Sequence, residues 1–166
     1  MAISQFPAAA FGSDNFELIS SVTPTAGTTS VDFTSLSVYK KLLLVYKDIT
    51  LSTNGVIRTR INADTNSDNY WNGYFSWVSV STTINTQVTS GFFNGVGNAS
   101  HPNMTLLINN CDTAGVKFAS GFSRTSNSYF ITADQVYLGS AVVSQINVVC
   151  TGTYNAAGNM KLYGAK

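Results

Sequence analysis

Acid–base or nucleophilic chemistry needs an imidazole, carboxylate or thiol held beside a second group that tunes it. This sequence has few such groups. His101 is the one histidine, and it precedes Pro102 in a stretch rich in Gly and Asn, which reads as a surface loop. No Gly-x-Ser-x-Gly elbow surrounds any serine. Glycoside hydrolysis needs two carboxyl groups across a sugar, yet Glu17 is the one glutamate. The seven aspartates stand mostly beside Gly, Asn, Ser or Thr, where turns favour them. No Gly-rich loop follows a strand and opens a helix to hold phosphate. The reading is of a protein that is not an enzyme and needs no cofactor.

Two further patterns bear on ligands. Asp64-Thr-Asn-Ser-Asp68 spaces hard oxygen donors as a calcium loop does. The glycine expected at its sixth position is Asn69, and the closing glutamate is Phe75, so a polar turn is expected and no metal site. Tyr70, Trp71, Tyr74 and Trp77 concentrate aromatic surface in eight residues. Exposed, they could stack on sugar rings. In an all-β chain such residues are more often core or interface, and that reading is favoured. Cys111 and Cys150 are too few for a disulfide framework or a zinc knuckle. Cys150 alternates with Ile146 and Val148 and should point inward, and a bridge between the two thiols stays open.

The elements that would position these residues are strands. Phe16, Leu18 and Val22 alternate with Glu17, Ile19 and Ser21; Val31 and Phe33 alternate with Ser30, Asp32 and Thr34. Ile57, Thr59 and Ile61 alternate with Arg58, Arg60 and Asn62. Val116, Phe118, Ser120 and Phe122 repeat the pattern, as do Ile146, Val148 and Cys150. Leu42-Leu-Leu-Val45 is apolar on both faces, the mark of a central strand. Turn signals separate these runs at Pro24–Gly27, Asn54-Gly55 (a hairpin signal), Asn94-Gly95, Asp112–Gly115 and Asn155–Gly158. No long capped segment has helical period. The spacing predicts an antiparallel sandwich or barrel over residues 16–166. Its core should hold Leu42, Leu44, Ile57, Ile61, Phe118, Ile146 and Val148. Residues 1–15 carry Ile3, Phe6 and Phe11 without alternation. They read as a frayed terminus or as an extended arm laid on a neighbour.

Composition narrows the partners. Only 10% of residues are charged, against about 25% in soluble domains, and the net charge is +1. Ser, Thr and Asn make up about a third of the chain. With no basic stripe, a nucleic-acid backbone would find little to neutralise. No run approaches the roughly 18 apolar residues of a membrane span. The first twelve residues read as no signal peptide, so the sequons Asn98-Ala-Ser100 and Asn103-Met-Thr105 are expected to stay unglycosylated. Low charge and short neutral polar groups suit a protein that packs against copies of itself or a larger shell.

Several segments together resemble a class of small virion proteins of tailed bacteriophages. These are Phe16-Glu-Leu-Ile-Ser20, Ser30-Val-Asp-Phe-Thr-Ser-Leu36 and Tyr39-Lys-Lys-Leu-Leu-Leu44 at the start. Ile57-Arg-Thr-Arg-Ile-Asn62 and Ala63-Asp-Thr-Asn-Ser-Asp-Asn-Tyr-Trp71 follow, and Met160-Lys-Leu-Tyr-Gly-Ala-Lys166 closes the chain. The class has Gly where this chain has Ala63, so that turn is expected to differ. The resemblance implies a jelly-roll-like β-sandwich, no catalytic residues, and a place on the phage head or tail. A capsid decoration or cement protein bound to the major capsid protein is the first expectation, self-associated as a homotrimer by analogy with head proteins on threefold positions. It would reside in the virion, assembled in the host bacterial cytoplasm, with Ile3, Phe6 and Phe11 at its interface. The second is a tail or fibre module binding host carbohydrate through Tyr70, Trp71, Tyr74 and Trp77.

Overall fold

The computed structural model of the chain describes residues 15–53, 55–77, 80–82, 86–87, 91–97, 103–124 and 130–166. Among them are the strands β1 (Glu17–Val22), β2 (Ser30–Thr34), β3 (Lys41–Lys47), β4 (Gly55–Ile61), β5 (Tyr70–Trp77), β6 (Val80–Thr82) and β7 (Thr86–Gln87). They continue with β8 (Phe92–Gly97), β9 (Asn103–Asn109), β10 (Lys117–Arg124), β11 (Phe130–Tyr137), β12 (Gln145–Cys150) and β13 (Asn159–Ala165). A 3-10 turn at Ser67–Asn69 leads into β5. The described residues include no α-helix.

The strands form two antiparallel sheets. The large one runs β1-β13-β3-β9-β10-β11-β5-β6, with β7 also on β5, and the small one runs β2-β12-β4-β8. From β1 to β5 the chain changes sheet at every connection. Sequence periodicity explains the pairing of faces. Leu42, Leu44 and Tyr46 of β3, Met104, Leu106 and Ile108 of β9, and Met160 and Leu162 of β13 all point to one side of the large sheet. Val31 and Phe33 of β2, Ile57 and Ile61 of β4, and Ile146 and Val148 of β12 answer from the small sheet. All join one buried cluster, so the fold is a β-sandwich around a single core. Thr59, buried among them, shares a 3.2 Å hydrogen bond with the hydroxyl of Tyr46 across the two sheets.

Four expectations need correction. Asn94-Gly95, read as a turn, lies inside β8, where Gly95 pairs with Ile57 beside a bulge that takes up the irregularity. Phe118 is 57% exposed and is not core. In β10 it is Lys117, Ala119, Gly121 and Ser123 that face inward, while Phe118 and Phe122 face out. The inner side has no room for rings: a Cβ on Gly121 would lie 2.4 Å from the carbonyl oxygen of Thr105. Tyr137, paired with Lys117 in the ladder, supplies bulk there instead. In β1, a bulge between Leu18 and Ser20 shifts the register, so Ile19 packs on the core while Leu18 is 54% exposed. The signal at Asn54-Gly55 makes no β3–β4 hairpin, because β3 and β4 lie in different sheets. A turn signal is local and cannot specify which sheet the next strand joins. Cys111 and Cys150 are both free thiols, which removes the bridge left open above. The expected arm residues Ile3, Phe6 and Phe11 lie outside the described residues, as do His101 and Asn54.

Leu44 is fully buried and Phe118 is not, and truncation should tell them apart. Leu44→Ala should destabilise by about 2–5 kcal/mol. Phe118→Ala should cost about 1 kcal/mol or less in dilute solution, because much of the ring already meets water. Urea unfolding of both variants checks this.

Candidate interaction face on the large sheet

Several of the described groups that could do chemistry are engaged in holding the fold. The carboxylate of Glu17 forms a 2.9 Å ion pair with Lys166, whose ammonium also lies 5.5 Å over the ring of Tyr39. Hydrogen bonding and charge from Lys166 hold Glu17 below the usual carboxylate range. Cys111 is fully buried, and burial pushes its thiol up to about 12, far from a usable nucleophile. Lys117 is buried too; its ammonium donates to the carbonyls of Thr113, at 2.8 Å, and Gly115.

The calcium-like segment is a structural joint. Asn62 and Ala63 both have positive φ, 54° and 56°, and Asp64 N–H closes the turn onto the Ile61 carbonyl. Two such residues make a type I′ turn. The side-chain oxygen of Asn62 accepts from the backbone N–H groups of Ser144 (2.8 Å) and Gln145 (3.1 Å). The N–H of Ala63 donates to Asn147, whose amide donates to Asp32. One carboxylate oxygen of Asp64 accepts from Asn66 N–H, and the other accepts from Asn69 (2.6 Å) and the hydroxyl of Tyr137 (2.9 Å). Burial opposes ionisation of Asp64, yet these three donors together hold it below its ordinary value. Both oxygens are therefore occupied by the protein's own donors.

The aromatic cluster divides by strand alternation. Tyr70 is fully buried, stacked edge-on to Phe92 at 5.4 Å and tilted on Tyr137 at 4.9 Å. Its hydroxyl donates to the Asp64 carbonyl and accepts from Ile61 N–H. It is core, the alternative favoured from sequence, and is no part of an exposed aromatic platform. Trp71 is 37% exposed, with its indole N–H donating to the Asp68 carbonyl. The side chains of Tyr74 and Trp77 lie outside the described residues.

What remains open to solvent is the outer face of the large sheet. Ladder register aligns Leu18, Tyr163, Leu43, Leu107, Ser120 and Asp134 in one row across six strands. The next row holds Lys161, Val45, Thr105 and Phe122, and the row on the other side holds Asn109, Phe118, Val136 and Trp71. Leu18, Phe118, Phe122 and Trp71 are exposed, while Leu43, Val45, Leu107, Val136 and Tyr163 are half-buried by their neighbours on the sheet. Two shallow grooves lie along this face. One, of about 330 Å³, runs beside Phe118, Ser120, Asp134 and Val136. The other, of about 470 Å³, runs beside Val45, Lys47, Lys161 and Tyr163. Contiguous apolar surface of this kind marks a contact site. Sequence reading missed it because it placed Phe118 inside, and the lysine on the opposite face of β10 pointed the same wrong way, since lysines are seldom buried. Compared with known protein families and with curated proteins, the sequence matches none significantly.

The joint yields two expectations. Ala63 carries a side chain in a conformation that costs non-glycine residues about 1–2 kcal/mol. Part of that is offset by the unfolded-state entropy glycine adds, so Ala63→Gly should raise stability by about 0.5–1 kcal/mol in thermal or urea unfolding. Asp64 titrates lower when folded, so its contribution is complete above the unfolded value near pH 4 and is lost as pH falls through the folded value. Tyr137→Phe removes one donor. It should cost about 1–2 kcal/mol at pH 6 and flatten the loss of stability below pH 4, measured by unfolding midpoints between pH 3 and 6.

Proposed function

We propose that this protein is a non-catalytic structural component of a tailed-phage particle, a decoration or cement protein that binds the major capsid protein and stiffens the head shell. The observation that carries the reading is the broad outer face of the large sheet, where Phe118, Phe122, Leu18 and Trp71 stand exposed on a rigid antiparallel platform. A protein that works by covering its neighbours needs apolar area of this kind and no reactive centre. The resemblance in the opening, middle and closing segments supplies the particle. The sheet-to-sheet crossings from β1 to β5 fit a jelly-roll-like path, while the β9–β10–β11 meander departs from it. Carbohydrate binding by a tail module is the weaker reading, since Tyr70 is withdrawn into the core and the indole N–H of Trp71 is already engaged by the backbone.

Particles lacking the protein, mixed with purified chain, should take up hundreds of copies each and gain resistance to heat or chelator. Phe118→Asp should reduce uptake at least about tenfold, since an anchor of this kind contributes on the order of 2 kcal/mol. Uptake of a handful of copies would place the protein on the tail instead.

A further inference from the structure

The outer face of the large sheet is polarised. Lys47 and Lys161 are exposed on β3 and β13, on one side of β9, and Asp134 is exposed on β11, on the other. Neither Asp134 nor Lys161 makes an ion pair among the described residues. Between these flanks lie Leu43, Val45, Leu107, Phe118 and Phe122. One surface thus carries both halves of a charge complementarity around an apolar centre, and β9 stands midway, two strands from β13 and two from β11.

We propose that this face pairs with the same face of a second copy of the chain, about a two-fold axis parallel to the strands and over β9, with Asp134 of each copy against Lys161 of the other. The proposal rests on the reading of this face as an interface: in the free chain the second copy covers it, and binding to the shell through the same residues requires the pair to open. Rotation about that axis preserves the rows and exchanges the flanks. β10 of one copy then lies over β3 of the other, and Phe122 meets Val45, its own row-mate through Thr105. β11 lies over β13, so Asp134 faces the row of Tyr163. Lys161 is one pleat repeat along, about 7 Å, within reach of a lysine side chain. Each ion pair forms twice, as a two-fold contact requires. Facing sheets pack about 10 Å apart with their strands within about 30°, which leaves room for the interleaved rings of Phe118 and Phe122.

The footprint suits a stable dimer. Seven strands, from β1 to β5, overlap about an axis on β9; they span about 29 Å and seven residues about 20 Å, a footprint of about 600 Å² before side-chain relief, against the roughly 800 Å² of accessible surface each partner gives a standard interface. A net charge of +1 opposes the approach of two copies very little. An isologous face closes at two copies, so the expected stoichiometry moves from the trimer suggested by analogy to a dimer.

Sedimentation equilibrium of the full chain tests the pairing. The wild-type chain should be dimeric. Asp134→Lys and Lys161→Asp should each weaken the dimer about tenfold or more, because each places like charges opposite one another twice. Mixing the two variants should restore association to within a few-fold of wild type. In that heterodimer the two introduced charges, opposite in sign, face each other at one contact, and the native Asp134 and Lys161 face each other at the second. Circular dichroism of each variant confirms that the fold persists. A monomeric wild-type chain, or reversals that leave the dimer unchanged, would overturn the proposal. So would a monomer in which deletion of residues 2–12 speeds hydrogen exchange at β10, which assigns the face to the chain's own N-terminal segment. A monomer that still loads onto depleted particles sinks the pairing and leaves the particle role standing; a charge-sensitive dimer that binds no particle does the reverse.

Discussion

Leu42 and Leu44 reach from β3 into the space that Ile57 and Ile61 enter from β4, and that aliphatic contact holds the two sheets face to face. Neither sheet could exist alone in water with such a face uncovered, because each buried leucine or isoleucine returns about 1.5–3 kcal/mol only when it is shielded. The requirement propagates outward. β3 sits inside the large sheet, between β13 and β9, and the Tyr46–Thr59 hydrogen bond places its inward row opposite β4. The chain leaves the sheet after β3 and returns for β5, and this sheet-switching path from β1 to β5 delivers strands to both sides of the shared core.

A sandwich held only by apolar contact could slide, since aliphatic packing is weakly directional. Polar groups at one end remove that freedom. Asn62 ties the end of β4 to the start of β12, Asn147 ties β12 to Ala63 and to Asp32 of β2, and Asp64 ties the same turn to Tyr137 of β11. Each bond has a defined length and angle, so together they set the register of the small sheet against the large one. The left-handed conformation at Ala63 is the cost of placing Asp64 where Asn69 and Tyr137 can both reach it.

The outer face follows from the same scarcity of charge. A chain with 10% charged residues cannot cover two wide sheets with ions. Ser, Thr and Asn fill part of its surface, and aromatic or aliphatic side chains stand exposed beside them. Phe118 and Phe122 belong to the second kind, Asp134 and Lys161 frame them, and Lys117 on the opposite side of the same strand is buried with its ammonium donating to backbone carbonyls.

Composition and alternation were enough for the all-β class, most of the core and the turns at 24–27, 112–115 and 155–158, but not for Asn94-Gly95, which is strand. Leu42, Leu44, Ile57, Ile61, Ile146 and Val148 are buried as their alternation requires, because a period of two places every second side chain on one face whatever the partner strand. The face was another matter. In β10 both alternating sets could be buried, one by its phenylalanines and the other by its small residues. Hydrophobicity favoured Phe118, and the close approach of Thr105 to Gly121 decided against it. In β1 a single bulged residue reversed the parity between Leu18 and Ile19. Asp64 read as part of a polar turn, but that its carboxylate would be held by Tyr137, distant in sequence, was not legible there. Local sequence sets which residues alternate and where the chain turns; only the tertiary structure decides which alternate set meets water, because that depends on the room left by strands far away in the chain.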